Sequence, residues 1–199
     1  MNTIDAIKSR RSIRCFSSKP IEKEKLEQIR DVARYYPCPA NLQSLKFVLL
    51  EGPSEILPVF HHLRWAKYLP NYVLKEDSAP QVLFLILGDS TIASDFGFST
   101  GAVATEIMLA AQDLGISSCC LGAHQQDEIL ILLGIDPGRY KFQCLIALGY
   151  GCQNSMIVPY VNDCKYWLDI HGQLCVPKRS ITEIFLTPCL RKEKTDDIR

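Results

Sequence analysis

The chain has 199 residues, 47% of them apolar and 22% charged, which is enough to bury the core of one globular domain over residues 1–199. Lysine plus arginine and aspartate plus glutamate each total 22, so the chain lacks the net positive charge typical of nucleic-acid-binding proteins. No apolar run reaches the ~18 residues of a membrane-spanning helix, and the N-terminus lacks a leader pattern. Nine cysteines without a C-x-x-C pair fit a reducing compartment. We therefore expect a cytoplasmic protein with neither nucleic-acid nor membrane partners.

A basic segment follows a short helix predicted over 3–9, where Ile4 and Ile7 have helical spacing. Between residues 6 and 21 there is no carboxylate, and five side chains are basic: Lys8, Arg10, Arg11, Arg14 and Lys19. The planar donor fork of arginine matches phosphate oxygens, and Ser12 adds a hydroxyl. The segment indicates a bound phosphate, although an exposed basic turn has the same local pattern.

The next predicted elements are an amphipathic helix over 21–35, a loop over 37–43 and a strand over 45–51. Two prolines exclude a helix in the loop, while Asn41 and Gln43 carry paired donors and acceptors suited to the edge of a heterocycle. A plain connection between elements is the alternative interpretation of this loop.

A helix interrupted by Pro58 is predicted over 54–66, and residues 65–77 are a candidate loop on the substrate side. His61 and His62 have no carboxylate or third ligand at useful spacing, which favours a surface or lid position over a metal site. His171 is likewise too loosely spaced from Cys164 and Cys175 to predict zinc binding.

The longest predicted helix, over 96–114, lies between two buried strands, over 82–87 and 117–121. Its residues are apolar or small on nearly every side, so it must be buried on nearly every side. A partner subunit is an easy way to cover its second face, and we therefore predict a homodimer. Gly122, just after the second strand, would let a ligand ring approach the backbone.

The last predicted elements are a helix over 125–133 and a strand over 140–148. Beyond residue 152 the pattern predicts irregular structure, except for one short helical turn over 181–186. Lys178 and Arg179 form a second basic pair, which could meet the first basic segment at one phosphate.

Six stretches, taken together and in this order, resemble the short class of the FMN-dependent nitroreductase family: 10–14, 37–43, 95–115, 119–123, 147–150 and 177–180. The resemblance implies an α+β fold, with a mixed, mainly antiparallel sheet flanked by helices. It also implies an intertwined homodimer with two FMN sites at the subunit interface. The implied activity is a ping-pong cycle in which NADH or NADPH reduces FMN, which then reduces a small-molecule acceptor such as a nitroaromatic or quinone. The cofactor carries the chemistry, so no catalytic side chain is expected.

The resemblance also implies roles for individual residues. Arg10, Arg11 and Ser12, with Lys178 and Arg179, would hold the phosphate and ribityl end of FMN, while Arg14 would lie near the pyrimidine edge and stabilise the reduced flavin. The loop would reach across from the other subunit, and backbone N–H groups after the strand over 117–121 would lie near the hydride-accepting nitrogen. The predicted cofactor-binding residues are Arg10, Arg11, Ser12, Arg14, Pro37, Cys38, Pro39, Ala40, Asn41, Gln43, Leu121, Gly122, Ala123, Lys178 and Arg179.

Two departures from the family pattern affect the predicted pocket. Cys38 stands where many relatives have serine, and Ser44-Leu45 stands where they have Pro-Trp. The first removes a hydroxyl donor, and the second removes a tryptophan expected at the pocket wall. A family member with another reductive role, a non-catalytic flavin binder and a phosphate- or nucleic-acid-binding module without flavin are the alternatives.

Overall fold

A computed structural model of the chain describes residues 1–70, 72–123 and 125–188; the predicted charged tail over 191–199 lies outside them. The helices are α1 (Thr3–Ser9), α2 (Lys23–Val32), α3 (Pro53–Phe60), α4 (Gly97–Asp113), α5 (Gln126–Leu132) and α6 (Ile181–Ile184). The strands are β1 (Leu45–Glu51), β2 (Val82–Asp89), β3 (Ser117–Leu121), β4 (Tyr140–Gly149), β5 (Ser155–Pro159), β6 (Trp167–Leu168) and β7 (Leu174–Lys178).

The centre of the fold is a four-stranded antiparallel sheet in the order β1-β2-β4-β3. Every residue of β2 is buried, as its continuous apolar run predicts for a central strand. Leu83, Leu85 and Leu87 face a core that contains α3 and α5, while the intervening residues face a core that contains α2 and α4. Helices therefore cover both faces of the sheet, and the predicted α+β class with a mainly antiparallel sheet is confirmed.

The basic segment, residues 10–16, lies along the free edge of β3. Ser12 forms a parallel bridge with Ser118, and the amide of Ile13 donates to the Ser118 carbonyl at 3.0 Å. Phe16 then bridges to Gly151, just after β4. A Cβ added at Gly151 would lie 2.9 Å from Ile13 Cγ2, so the close approach of this segment requires glycine.

Cys15 and Cys152 form a disulfide between the basic segment and the stretch after β4. This differs from the expectation of reduced cysteines. The two residues are 137 positions apart, and spacing alone does not identify such a pair.

The prediction of irregular structure after residue 152 is wrong. A second sheet, in the order β5-β7-β6, pairs β5 with β7 in parallel and β6 with β7 in antiparallel fashion. Its strands have two to five residues and many exposed side chains, so they lack the apolar run that reveals a buried strand. This sheet determines where Lys178, the last residue of β7, is placed.

Helix α4 is only partly covered by its own chain. Val103, Ile107 and Ala111 are fully buried, whereas Phe98 is 66% exposed. The predicted homodimer would cover this second face, and it stays a prediction. In the part of the chain that the structure describes, no helix has the length and hydropathy needed to cross a membrane.

Candidate cofactor site

A cavity of about 750 Å³ opens beside the basic segment, and we call it the basic cavity. Residues from α1, the basic segment and the second sheet form its walls, and among the described residues none that line it is acidic. Its polar lining consists of Lys8, Arg10, Arg11, Ser12, Arg14, Tyr166 and Lys178. Cationic groups from both ends of the chain thus share one cavity, which suits an anionic ligand.

Two buried donors on residues that line this cavity have no partner within the described chain. They are the Nε atoms of Arg11 and Arg14, although Nη1 of Arg11 donates to the carbonyls of Lys8 and Arg10. Burial, and then the positive charge of Arg10, lowers the pKa of Arg11 from its ordinary value. A buried donor without an acceptor is costly, and a phosphate or carbonyl oxygen at this position would remove that cost. The residues present therefore fit the phosphate end of FMN.

Arg14 lies between the basic cavity and a second opening. Its amide donates to Gln153 Oε1 at 3.1 Å, and its guanidinium lies 4.8 Å from the centre of the Tyr166 ring. Burial raises the pKa of Tyr72, and the nearby positive charge of Arg14 opposes that rise. Gln153 and Tyr166 belong to the stretch predicted to be irregular, and no pattern in the sequence pointed to them.

The second opening, which we call the aromatic cavity, has a volume of about 710 Å³ and lies between residues of the segments 60–69 and 72–74 on one side and Gly122 on the other. A bridge from Leu63 to Ala123 joins the first of these segments to the end of β3. A Cβ built at Gly122 would meet no atom within 4 Å, so its backbone borders open space. The predicted position of Gly122 and Ala123 beside a flavin ring is compatible with this geometry. Helix α3 ends at Phe60 rather than at residue 66, and the remaining residues form the cavity wall.

The structure separates Lys178 from Arg179. Lys178 lines the basic cavity, whereas the guanidinium of Arg179 lies 4.0 Å from the centre of the Tyr160 ring and Nη1 lies 3.6 Å from Glu183. Of the second basic pair, only Lys178 is among the described residues that line the basic cavity. Arg179 is not brought into it, and its predicted role at the phosphate has no support from this arrangement.

The loop over 37–43 lies at the other side of the molecule. It precedes β1, the edge strand opposite β3, and Leu45 pairs with Gly88 at the far end of the sheet from Ser12. Four strand spacings of ~4.8 Å place the loop roughly 19 Å across the sheet from the basic segment. One chain therefore does not bring the two predicted parts of the site together.

The loop has an unusual backbone. Ala40, Asn41 and Gln43 have φ values of 50°, 53° and 48°, although none of them is glycine. Such conformations persist where the surroundings hold them and are typical of binding loops. The amide of Gln43 donates to Cys38 Sγ at 3.4 Å, so the sulfur has a role within the loop. Leu45, at the position of the family tryptophan, is buried in the core rather than in a pocket wall.

Comparisons with known proteins agree with this architecture. The family model described as the nitroreductase family matches residues 7–150. A candidate NADH dehydrogenase/NAD(P)H nitroreductase of Archaeoglobus fulgidus is 28% identical over 152 residues, which cover 72% of this chain and 82% of the relative. A candidate NAD(P)H nitroreductase of Bacillus subtilis is 24% identical over 180 residues, covering 74% and 89%.

A solved structure gives the same result for the fold. The crystal structure of a candidate nitroreductase from Desulfovibrio desulfuricans, in complex with FMN, superposes with a TM-score of 0.73 at 21% identity. The match covers 96% of this chain and 99% of that chain. At this identity the likeness shows the fold alone.

Proposed function

Because this chain belongs to the nitroreductase family, we propose that it is an FMN-dependent oxidoreductase with NAD(P)H as its electron donor. The observation that carries the proposal is the basic cavity, which five cationic side chains line and where the Nε atoms of Arg11 and Arg14 have no acceptor among the described residues. The FMN named in the Desulfovibrio structure and the NAD(P)H named for the relatives support the choice of cofactor and donor.

The side chains would bind FMN and adjust its reduction potential, and the cofactor would supply the redox chemistry. When bound, FMN would supply the two-electron redox chemistry, with a hydride from NAD(P)H plus a proton on the donor side and two electrons and two protons for the acceptor, as in the conversion of a quinone to a quinol. Arg10, Arg11 and Lys178 would neutralise the phosphate, and Arg14 would stabilise negative charge on the flavin. We propose a ping-pong cycle, in which the oxidised donor leaves before the acceptor binds at the same face.

We also propose that the working unit is a homodimer. The loop over 37–43 and the basic segment lie at opposite edges of the sheet, so a loop from a second chain has to complete the site. The exposed side of α4, marked by Phe98, gives such a partner an apolar surface to cover.

Purification followed by stopped-flow mixing tests the function. The purified protein should be yellow, or become so on addition of FMN, and NADH or NADPH should bleach the bound flavin within the turnover time. Steady-state rates at several acceptor concentrations should then give parallel double-reciprocal lines. A protein that never binds FMN would contradict the proposal, and a flavoprotein that no nicotinamide reduces would be a non-catalytic binder.

A further inference from the structure

We propose that the aromatic cavity selects planar electron acceptors that carry a negatively charged group, such as an aromatic carboxylate, and that Arg64 and Lys67 bind this group. The inference rests on the proposed function and specifies its substrate class. It comes from the shape of the cavity wall, its charge and the position of the cavity next to Gly122.

The wall of the cavity suits a flat ring. The ring centres of Trp65 and Phe60 lie 5.8 Å apart, and the two ring planes are inclined at 41°. Tyr72 and Leu63 also line the cavity. Aromatic walls bind an aromatic ligand through offset contacts and buried apolar area. The indole Nε1 of Trp65 is buried and has no acceptor among the described residues.

The charge at the cavity has one sign. Three cationic or potentially cationic side chains line it, and none of its described lining residues is acidic. His61 already has a carboxylate neighbour, because its Nε2 lies 3.4 Å from Oε1 of Glu76. Arg64 and Lys67 form no ion pair within the described ranges, so both remain available to an anion. The guanidinium fork of Arg64 matches the two oxygens of a carboxylate.

The two cations are carried by an ordered turn. Ala66, between them in sequence, is 4% exposed and has a φ of 50°, a conformation that a non-glycine residue adopts only where its surroundings hold it. The amide of Leu69 donates to the Ala66 carbonyl at 2.8 Å, and the Leu63 to Ala123 bridge joins the turn to β3. The cations are thereby kept on the cavity that borders the proposed flavin position.

A matched pair of acceptors tests the inference with FMN-loaded protein. 4-Nitrobenzoate and 4-nitrobenzamide have nearly the same shape and differ in charge. We expect kcat/KM to favour the carboxylate by about tenfold, and the double variant Arg64→Gln/Lys67→Gln to abolish that preference. Each single variant should lower the preference about threefold, while Lys75→Gln, an exposed lysine outside the cavity, should leave it unchanged.

Calorimetry of the oxidised protein with both compounds provides a readout that needs no turnover. The dissociation constant of the carboxylate should rise about tenfold in the double variant, and that of the amide should stay constant. Equal preference in the unaltered protein overturns the inference. So does an equal loss for both compounds, or an effect confined to the KM of NADPH, which would assign the cations to the donor. Failure of NAD(P)H to reduce bound flavin would instead contradict the proposed function.

Discussion

Arg14 is the residue with the most direct electrostatic role, because it lies between the two cavities. We predict that Arg14→Ala retains some FMN but lowers its two-electron potential by about 40 mV. A unit charge pair at ~4 Å and an effective dielectric constant near 20 is worth roughly 4 kcal/mol, and half of this corresponds to about 40 mV. Spectroelectrochemical titration measures the shift, and Arg14→Lys, which keeps the charge, is the control. A potential that stays the same within error would remove Arg14 from this role.

Lys178 and Arg179 are neighbours in sequence and allow a matched comparison. We predict that Lys178→Ala raises the dissociation constant of FMN about tenfold, as Arg10→Ala should, because both side chains line the basic cavity. Arg179→Ala should change it less than about twofold, since this side chain contacts Tyr160 and Glu183. Fluorescence titration of the apoprotein with FMN measures all three. A larger loss for Arg179→Ala than for Lys178→Ala would contradict the geometry.

The first half of this site could be predicted from the residues themselves. Three arginines without a neighbouring carboxylate indicate an anion, and Arg10, Arg11 and Arg14 do line one cavity. The difference between Lys178 and Arg179 could not be predicted, because it depends on where β7 ends. A pair of adjacent cations carries no information about which one faces a cavity until its strand is known.

At the scale of elements, Gly151, just after β4, lets the basic segment lie against the sheet. We predict that Gly151→Ala destabilises the fold by about 1–3 kcal/mol and also weakens FMN binding several-fold. The added Cβ would lie 2.6 Å from Ser117 Oγ and 2.9 Å from Ile13, which would shift the basic segment. Gly88→Ala is the control, because its Cβ would meet the Phe96 ring at 2.5 Å, away from that segment. Thermal unfolding and FMN titration should show both effects in the first variant and only lost stability in the second.

An ion pair joins Asp89, the last residue of β2, to the half-exposed Arg139, which directly precedes β4. Asp89 is fully buried, and its carboxylate accepts from Arg139 at 2.8 and 3.2 Å and from Thr91. The hydrogen bonds from Arg139, and to a smaller extent those from Thr91, hold the pKa of Asp89 well below its usual value. The stabilisation is therefore complete above the unfolded-state pKa of about 4 and is lost as the pH falls below it.

From this pair we predict that Asp89→Asn lowers the melting temperature by roughly 5–10 °C at neutral pH. The difference from the unaltered protein should stay constant from about pH 8 to pH 5 and shrink below about pH 4. Glu27→Gln, which removes an exposed pair with Arg30, should change the melting temperature by less than about 2 °C. Calorimetric scans across this pH range measure both, and a difference that grows in acid would have the wrong sign.

Buried elements could be predicted from the sequence better than exposed ones. The four strands of the central sheet coincide with apolar runs, and all of them were predicted within two residues. The second sheet could not be predicted, because its strands are short and residues such as Ile157, 43% exposed, face solvent. Helix α3 stops at Phe60 because the chain then turns to form the Leu63 to Ala123 bridge, a long-range contact with no local signal.

At the scale of the whole molecule, one chain holds two incomplete halves of the proposed site. The basic cavity lies beside β3, and the strained loop over 37–43 precedes β1 at the opposite edge. Apolar surface also remains uncovered on the helices, with Phe98 of α4 at 66% exposure and Ile4 of α1 at 62%. A symmetric pair of chains would cover this surface and form two complete sites at once.

Subunit mixing distinguishes a site shared between chains from a site within one chain. Arg10→Ala removes the cationic half in one chain, and Asn41→Ala with Gln43→Ala removes the loop half in the other. If each site takes its arginines from one chain and its loop from the partner, the heterodimer has one doubly altered site and one with no substitution. We therefore predict that heterodimers, purified through two different affinity tags, bind one FMN per dimer with the affinity of the unaltered protein, while either altered homodimer binds weakly. Calorimetric titration gives this stoichiometry. If each site belonged to a single chain, both sites of the heterodimer would be altered and no tight binding would return.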